Sequence, residues 1–451
     1  MPRYFLDPFG CVKNQVDAET MMALLGSSGW ETTGDPENAD LIIVNSCGFI
    51  ESAKQESINA VLSWRKQYPE KKILLAGCLA QRYAGELAEA LPEADALFGN
   101  AELGGIGAAA AATLRVPLAG AAGGAGAAGG PGDRPLLSLP GSAYVKISEG
   151  CDNRCSFCSI PLIRGGLRSR TIPDVLAECR ALLNRGIKEL CVIGQDIASF
   201  GMDRGGATEL PALLEALAGI PGNFWVRLLY IHPDHVPLAI LDLMEKDRRF
   251  LPYFDIPFQH ASGPLLKAMN RRGDGAQYLA LIEEIRGRLP GAVIRSTFLV
   301  GFPGESEEDF AKVLDFQEQA RLDWAGCFTY SREEDTPAYA MGKRVPKRLA
   351  AQRKQILEER QQGISEGRME NFVGRELEVL VEEKFEALKE GPGEAVVLPD
   401  ESLYLGRLYC QAPEVDGAAV ITGTDLVPGS LVRCRVSGRA GIDLEARVIT
   451  H

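Results

Sequence analysis

Cys151, Cys155 and Cys158 fall within eight residues of one another in the stretch EGCDNRCSFCSIP. Thiolates are soft ligands that suit iron–sulfur clusters and zinc. Three thiolates on a [4Fe–4S] cube leave one iron without a protein ligand, open to a small molecule. Zinc is the competing occupant, but a structural zinc takes four ligands, and no fourth Cys or His is near in sequence. A disulfide with one spare thiol is the remaining alternative; the spacing, far more specific than a lone C-x2-C, favours the cluster. A second group, Cys11, Cys47 and Cys78, stands in DPFGC, IIVNSC and LLAGC. Each follows a run that reads as a β-strand, and the C-terminal ends of parallel strands share one sheet edge. The three thiols could therefore meet in a second site, although a buried cysteine can also act as a small hydrophobe. Cys179, Cys191, Cys327, Cys410 and Cys434 fall inside helical or strand patterns and read as packing residues.

The elements that must place these groups suggest an α/β multidomain chain. Residues 1–115 alternate strands (Arg3–Phe9, Leu41–Asn45, Ile73–Ala76) with helical patterns (Ala18–Leu25, Ser52–Gln67), as expected for a Rossmann-like parallel α/β domain. Residues 116–140 form an Ala/Gly-rich linker; AGAAGGAGAAGGPGDRP (119–135) can bury little apolar surface. Residues 141–370 hold six strand candidates separated by helical patterns, which predicts an open (βα)6 partial barrel. Its strands are expected at Ala143–Ile147, Glu189–Ile193, Trp225–Leu229, Tyr253–Ile256, Val293–Val300 and Ala325–Tyr330. Residues 371–451 offer short strands, among them Glu394–Val397, that suit a small OB-like β-barrel. Cys151 then follows the first barrel strand, at the face where barrel enzymes keep their chemistry.

Composition narrows the class. The chain has 451 residues, 46% hydrophobic and 24% charged, enough for several cores. Its 48 Lys plus Arg against 61 Asp plus Glu give a charge of −13, the wrong sign for a protein that coats DNA. Eleven cysteines are too sparse for a disulfide scaffold. Pro2, Arg3, Asp7 and Pro8 interrupt any signal-peptide pattern, and no run reaches the ~18 apolar residues of a membrane span. A reducing cytoplasm is the expected compartment, with no membrane contact.

The C-x3-C-x2-C motif on the first strand of a six-unit barrel resembles the radical S-adenosylmethionine (SAM) enzymes. With three N-terminal cysteines and a small C-terminal β-domain, the chain resembles their methylthiotransferases. The wording that carries this includes GCVKNQVDAE (10–19), NSCGFIESAKQESI (45–58), GCLAQRY (77–83), CDNRCSFCSIPLIRGGLRSR (151–170) and STFLVGFPGESEEDF (296–310). The resemblance is strongest to the branch that modifies an aspartate of small-subunit ribosomal protein twelve. The Ala/Gly linker is richer in these residues than the pattern, and Ile231 stands before His232-Pro233 where the family more often has Tyr before Pro.

This resemblance implies two [4Fe–4S] clusters and SAM as cofactors. Cys151, Cys155 and Cys158 would hold the radical-generating cluster, with SAM on its open iron. Cys11, Cys47 and Cys78 would hold an auxiliary cluster carrying the sulfur to be transferred. One SAM would donate the methyl group, and a second would yield the radical that takes the substrate's β-hydrogen. The C-terminal domain resembles TRAM, and an electron donor such as a flavodoxin or ferredoxin and a sulfur donor are implied partners. Barrel geometry adds Gln195, Asp196, Tyr230, His232, Gln259 and His260, with Gly301 to Gly304 (GFPG), at the barrel mouth. Gln195, Asp196, Gly301 and Gly304 are candidate SAM contacts. Phe157, between two cluster cysteines, is another, with ordinary packing the alternative. Arg164, Arg168 and Arg170 would neutralise the SAM carboxylate, dock an acidic substrate, or form a solvated face.

Charge bears on the substrate. Residues 372–451 carry 8 Lys plus Arg against 14 Asp plus Glu, a net of −6; residues 1–140 carry 10 against 16, also −6. An RNA-gripping domain presents basic residues to phosphates. An acidic one suits a basic ribosomal protein, which makes the same chemistry on a tRNA adenosine the disfavoured alternative. A non-enzymatic iron–sulfur carrier is the rival of another class, although a carrier needs no SAM pocket.

Overall fold

A computed structural model describes residues 1–117, 132–385 and 401–449. It divides into two compact units. Unit 1 comprises Met1–Leu137, Tyr144–Ala181 and Ser331–Ala340; unit 2 comprises Ser138–Ala143, Leu182–Tyr330 and Met341–His451.

In unit 1, strands β1 (Arg3–Pro8), β2 (Glu31–Thr32), β3 (Leu41–Ser46), β4 (Lys72–Gly77) and β5 (Ala96–Phe98) form a parallel sheet of order β2-β1-β3-β4-β5. The expected Rossmann-like sheet is present, with two short strands that the sequence pattern missed. The run LIIVNS of β3 is buried along its whole length, as a central parallel strand covered on both faces must be. Alternation divides the core. Leu41, Ile43, Leu74 and Ala76 pack against helices α1 (Val12–Ser27) and, further along the chain, Ile106–Leu114; Ile42, Val44, Ile73 and Leu75 pack with Val61, Leu79 and Leu87. Registers Pro8↔Asn45 and Ser46↔Gly77 level the strand ends, so Cys11, Cys47 and Cys78 leave the sheet along one edge.

The stretch expected as linker is not all loose chain. Residues 118–131 at its centre lie outside the described residues. Arg134 near its end is buried, donates to Glu19 Oε2 at 2.8 Å and to the Tyr144 carbonyl at 2.5 Å, and pairs with Glu178. One arginine in an Ala/Gly run thus anchors the chain, which composition alone did not reveal.

In unit 2, Glu189–Ile193, Trp225–Leu228, Phe250–Asp255, Val293–Val300 and Trp324–Thr329 are parallel neighbours in that order. The strand Ser142–Lys146, whose first two residues belong to this unit, completes the six-stranded sheet beside Glu189–Ile193. This is the expected six-strand half-barrel. Five further strands, Glu376–Phe385, Ser402–Leu408, Ala419–Gly423, Leu431–Ala440 and Asp443–Val448, close a small barrel. The expected strand Glu394–Val397 falls outside the described residues.

Buried charge ties the small barrel to the sheet within unit 2. Glu189 receives Arg227 Nε at 2.7 Å, Arg407 Nη2 at 2.6 Å and the Ser142 hydroxyl at 2.7 Å, while Arg407 Nε reaches Glu382 at 2.6 Å. Burial alone would raise Glu189, but Arg407 and Arg227 outweigh it and hold the carboxyl down at about 2. Breaking such a pair strands its partner in a low-dielectric interior. Arg407→Ala should therefore cost about 3–5 kcal/mol and lower the urea midpoint of the full chain. Asp416 behaves oppositely: burial raises its carboxyl to about 6, against opposing effects from Arg295 and Tyr253. A raised value means that its contribution is full below the ordinary 3.8 and lost as pH rises through 6. Asp416→Asn keeps an acceptor for the Tyr253 hydroxyl, now 2.5 Å away. It should raise the urea midpoint at about pH 8, with the gain gone by about pH 4.

Candidate iron–sulfur sites and barrel mouth

All six motif cysteines lie in unit 1. Cys11 caps the N-terminus of α1, and its carbonyl accepts from the Gln15 amide at 3.1 Å. Cys47 follows β3, its amide donating to Ser57 Oγ at 3.1 Å. Cys78 opens the short helix Cys78–Arg82 directly after β4. The topology thus gathers these three cysteines, and their thiols are close enough to perturb one another. Burial raises Cys47 and pushes Cys78 up to about 12, with Cys11 adding to both. Asn14 staples α1 to the strand end by donating to the Ser46 carbonyl at 2.8 Å, while Asn45 Nδ2 donates to the Asn14 carbonyl at 2.9 Å.

A glycine shapes the approach to each group. Gly10, Gly77 and Gly150 precede Cys11, Cys78 and Cys151 directly, with φ of +97°, +97° and +72°. A Cβ on Gly10 would lie 3.2 Å from the Cys47 Cβ, one on Gly77 would lie 2.7 Å from the Ser46 carbonyl oxygen, and one on Gly150 would lie 2.0 Å from the Gly166 oxygen. Only glycine takes these turns without strain. In the second motif the Cys158 amide donates to the Cys155 carbonyl at 3.0 Å, and the Cys151 amide to the Gly165 carbonyl at 3.2 Å. Cys151, Cys155, Phe157 and Cys158 are all half-buried. Among the described residues, no ready-made metal constellation is recognised. The donor set nonetheless fits: none of the six cysteines is in a disulfide, so each motif offers three thiols, with Asp152 standing between Cys151 and Cys155 in the second.

Arg164 was not anticipated in its observed role. It is neither a solvated face nor free for a ligand carboxylate. Buried in unit 1, it donates to Glu149 at 2.7 Å, Asn14 Oδ1 at 2.7 Å, Asp17 at 2.9 Å and the Cys78 sulfur at 3.2 Å. Lys146 pairs with the same two carboxylates. Burial would raise Glu149, yet Lys146 and Arg164 hold it down at about 2. Arg170 is bonded to Asp174 and Glu178, and Arg168 is exposed. The signal for Arg164 was only its place six residues beyond Cys158; Asn14 and Asp17, three and six residues beyond Cys11, gave none.

The barrel-mouth candidates of unit 2 take two forms. Asp196 is buried and caps the turn after its strand: Oδ1 accepts from the Ala198 and His232 amides at 3.0 and 3.1 Å, and Oδ2 from Ser199 at 2.5 Å. Gln195 beside it is half-buried. His232 and His260 are buried, each accepting at Nδ1 from the backbone amide two residues on. Burial drives His232 down to about 2, so it is neutral. Tyr230 and Gln259 hold left-handed φ of +66° and +69°. Such strain persists only where the surroundings over-determine it. Asp255 accepts the Tyr230 amide at 3.1 Å, and Gln259 is bonded to Thr297 and Leu299 at 2.8 and 2.7 Å. Gly301 (φ +78°) and Gly304 (φ +92°) form the expected glycine turn, and the Gly301 amide donates to Glu305. A Cβ at Gly301 would meet the Ala350 Cβ at 2.5 Å, whereas Gly304 faces open space.

Known proteins supply the family. Residues 3–99 match the "Uncharacterized protein family UPF0004", 145–316 the radical SAM superfamily and 373–449 the TRAM domain. The chain is 46% identical to the ribosomal protein uS12 methylthiotransferase RimO of Treponema denticola, covering 98% of this chain and 99% of that one. It belongs to the RimO family. The counterparts from Pelotomaculum thermopropionicum and Aquifex aeolicus are 42% and 40% identical, over 98% and 97% of this chain and 98% and 95% of theirs. Among solved structures, the radical SAM methyltransferase TsrM of Kitasatospora setae shares the fold, with a TM-score of 0.54 at 15% identity over 75% of each chain.

RimO-family membership gives the glycine turns a direct test. Gly77→Ala should strip about half of the iron from the anaerobically reconstituted protein, and Gly150→Ala the other half, read by iron and sulfide analysis.

Proposed function

We propose that this chain adds a methylthio group to the β-carbon of an aspartate in ribosomal protein uS12, with one [4Fe–4S] cluster on Cys11, Cys47 and Cys78 and another on Cys151, Cys155 and Cys158. The observation that carries this reading is the presence of both cysteine triads in one compact unit of a chain that matches uS12 methylthiotransferases from end to end. When bound, the clusters and SAM supply the methyl group and the radical chemistry that opens a C–H bond no side-chain base can deprotonate.

The chain's own residues hold and orient. Each triad offers three thiolates and leaves one cluster iron free of protein ligands. The N-terminal end of α1 favours negative charge on Cys11. Gln195, Gly301, Gly304 and Phe157 are the SAM-contact candidates, the glycines permitting close approach. Asp196 serves by fixing the loop after its strand, since its carboxylate oxygens already bond Ala198, Ser199 and His232.

The C-terminal barrel favours a protein substrate. Five of its six arginines pair with acids: Arg407 is buried with Glu189 and Glu382, Arg433 and Arg435 pair with Glu376, Arg439 with Glu366 and Glu370, and Arg447 with Glu401, while Arg375 lies over the Phe372 ring. Phosphate-binding surfaces need basic groups whose charge is not already spent on acids. The acidic balance instead complements a basic ribosomal protein. We assign as partners an electron donor of the flavodoxin or ferredoxin kind and a sulfur donor. A cytoplasmic setting is supported by this substrate, and no described helix is long and apolar enough to cross a membrane.

The test supplies SAM and reductant to the reconstituted protein with either uS12 or tRNA. A methylthio mass gain on uS12, with 5′-deoxyadenosine formed, is expected; product on tRNA alone would overturn the substrate, and no SAM cleavage would support a carrier. Cys155→Ala should abolish SAM cleavage while leaving the iron of the other triad in place.

A further inference from the structure

Arg164 touches a sulfur that the proposed function makes a cluster ligand, and it comes from the segment that carries the other triad. Its Nη2 lies 3.2 Å from Cys78 Sγ and is also bonded to Asn14 Oδ1 at 2.7 Å and Asp17 Oδ2 at 2.9 Å; Nη1 is bonded to Glu149 at 2.7 Å. A second N–H donor, Asn100 Nδ2, approaches the same sulfur at 3.3 Å. The group is closed and buried: Arg164 is 6% exposed, Asp17 2% and Asn14 1%. Arg164 and Lys146 balance Asp17 and Glu149 in charge. Within that balanced quartet, the cation is the member in contact with the sulfur. Deleting it would leave net negative charge beside Cys78.

We propose that Arg164 is a positioning residue for the auxiliary cluster, acting through Cys78: its N–H···S bond and positive charge set the reduction potential of the cluster on Cys11, Cys47 and Cys78 above the value thiolates alone would give. The inference rests on the reading that these cysteines hold a cluster. Reduction adds one negative charge to an already anionic cluster. A buried donor and cation at a ligand sulfur stabilise that reduced form more than the oxidised one. Because Arg164 and Cys78 are themselves buried, their contact is weakly screened. Since Arg164 lies six residues beyond Cys158, the two cysteine motifs are also joined mechanically through one side chain.

The experiment uses the full chain carrying Cys155→Ala, so that only the auxiliary cluster gives a signal, reconstituted anaerobically and titrated potentiometrically by electron paramagnetic resonance. Absence of a [4Fe–4S] signal in this parent would refute the cluster reading itself. Given the signal, adding Arg164→Gln should make reduction at least about tenfold less favourable, a fall in midpoint of ~59 mV for a one-electron couple. Arg164→Lys keeps a cation for Asp17 and Glu149 but loses the planar fork, and should fall by less. It also decides the matter if the Gln variant fails to assemble a cluster. A midpoint unchanged in whichever variant assembles would overturn the proposal.

Discussion

Four ionised side chains, Arg164, Lys146, Asp17 and Glu149, are packed together in unit 1, and ionised groups withdrawn from water persist only when fully paired. That constraint fixes much else in the unit. Asp17 lies on α1, whose first turn begins at Cys11; Glu149 stands two residues before Cys151; Arg164 ends the helix that follows Cys158. Satisfying the quartet therefore brings the starts of both cysteine motifs into one arrangement. Asn14 adds a neutral tie, accepting from Arg164 while donating to the end of β3.

Around this polar centre, left-handed glycines aim the thiols. A chain leaving a parallel strand continues outward, and turning it back over the sheet edge within a residue or two needs φ values that a Cβ forbids. Gly77 meets this need after β4, and Gly10 and Gly150 do so in their own loops. In unit 2 the same problem at the barrel mouth is solved twice without glycine, at Tyr230 and Gln259. There, hydrogen bonds from neighbouring strands hold the strain.

Much of this was legible in the sequence. The apolar runs LIIVN and KILLA marked central strands because both faces are covered, and the level registers made three cysteines equivalent. The six βα repeats and the short C-terminal strands were readable for similar reasons. The dipeptide Gly-Cys at 10–11, 77–78 and 150–151 was also in plain view, though its backbone meaning emerges only from φ. Long-range ion pairing was not legible. Arg164 and Asp17 are 147 residues apart, and nothing local distinguishes Arg164 from Arg168 or Arg170. Arg134 hid in an Ala/Gly run for the same reason. Asp196 was readable as a loop residue but not as a cap, because its partner His232 lies beyond the next strand.

The account's central claim is that unit 1 holds two independent cysteine sites. Iron and acid-labile sulfide per chain test it directly, measured after anaerobic reconstitution of the parent, of Cys11→Ala/Cys47→Ala/Cys78→Ala and of Cys151→Ala/Cys155→Ala/Cys158→Ala. The account predicts two [4Fe–4S] clusters in the parent and one in each triple variant. A parent that binds a single cluster, or a triple variant that loses both, would contradict it.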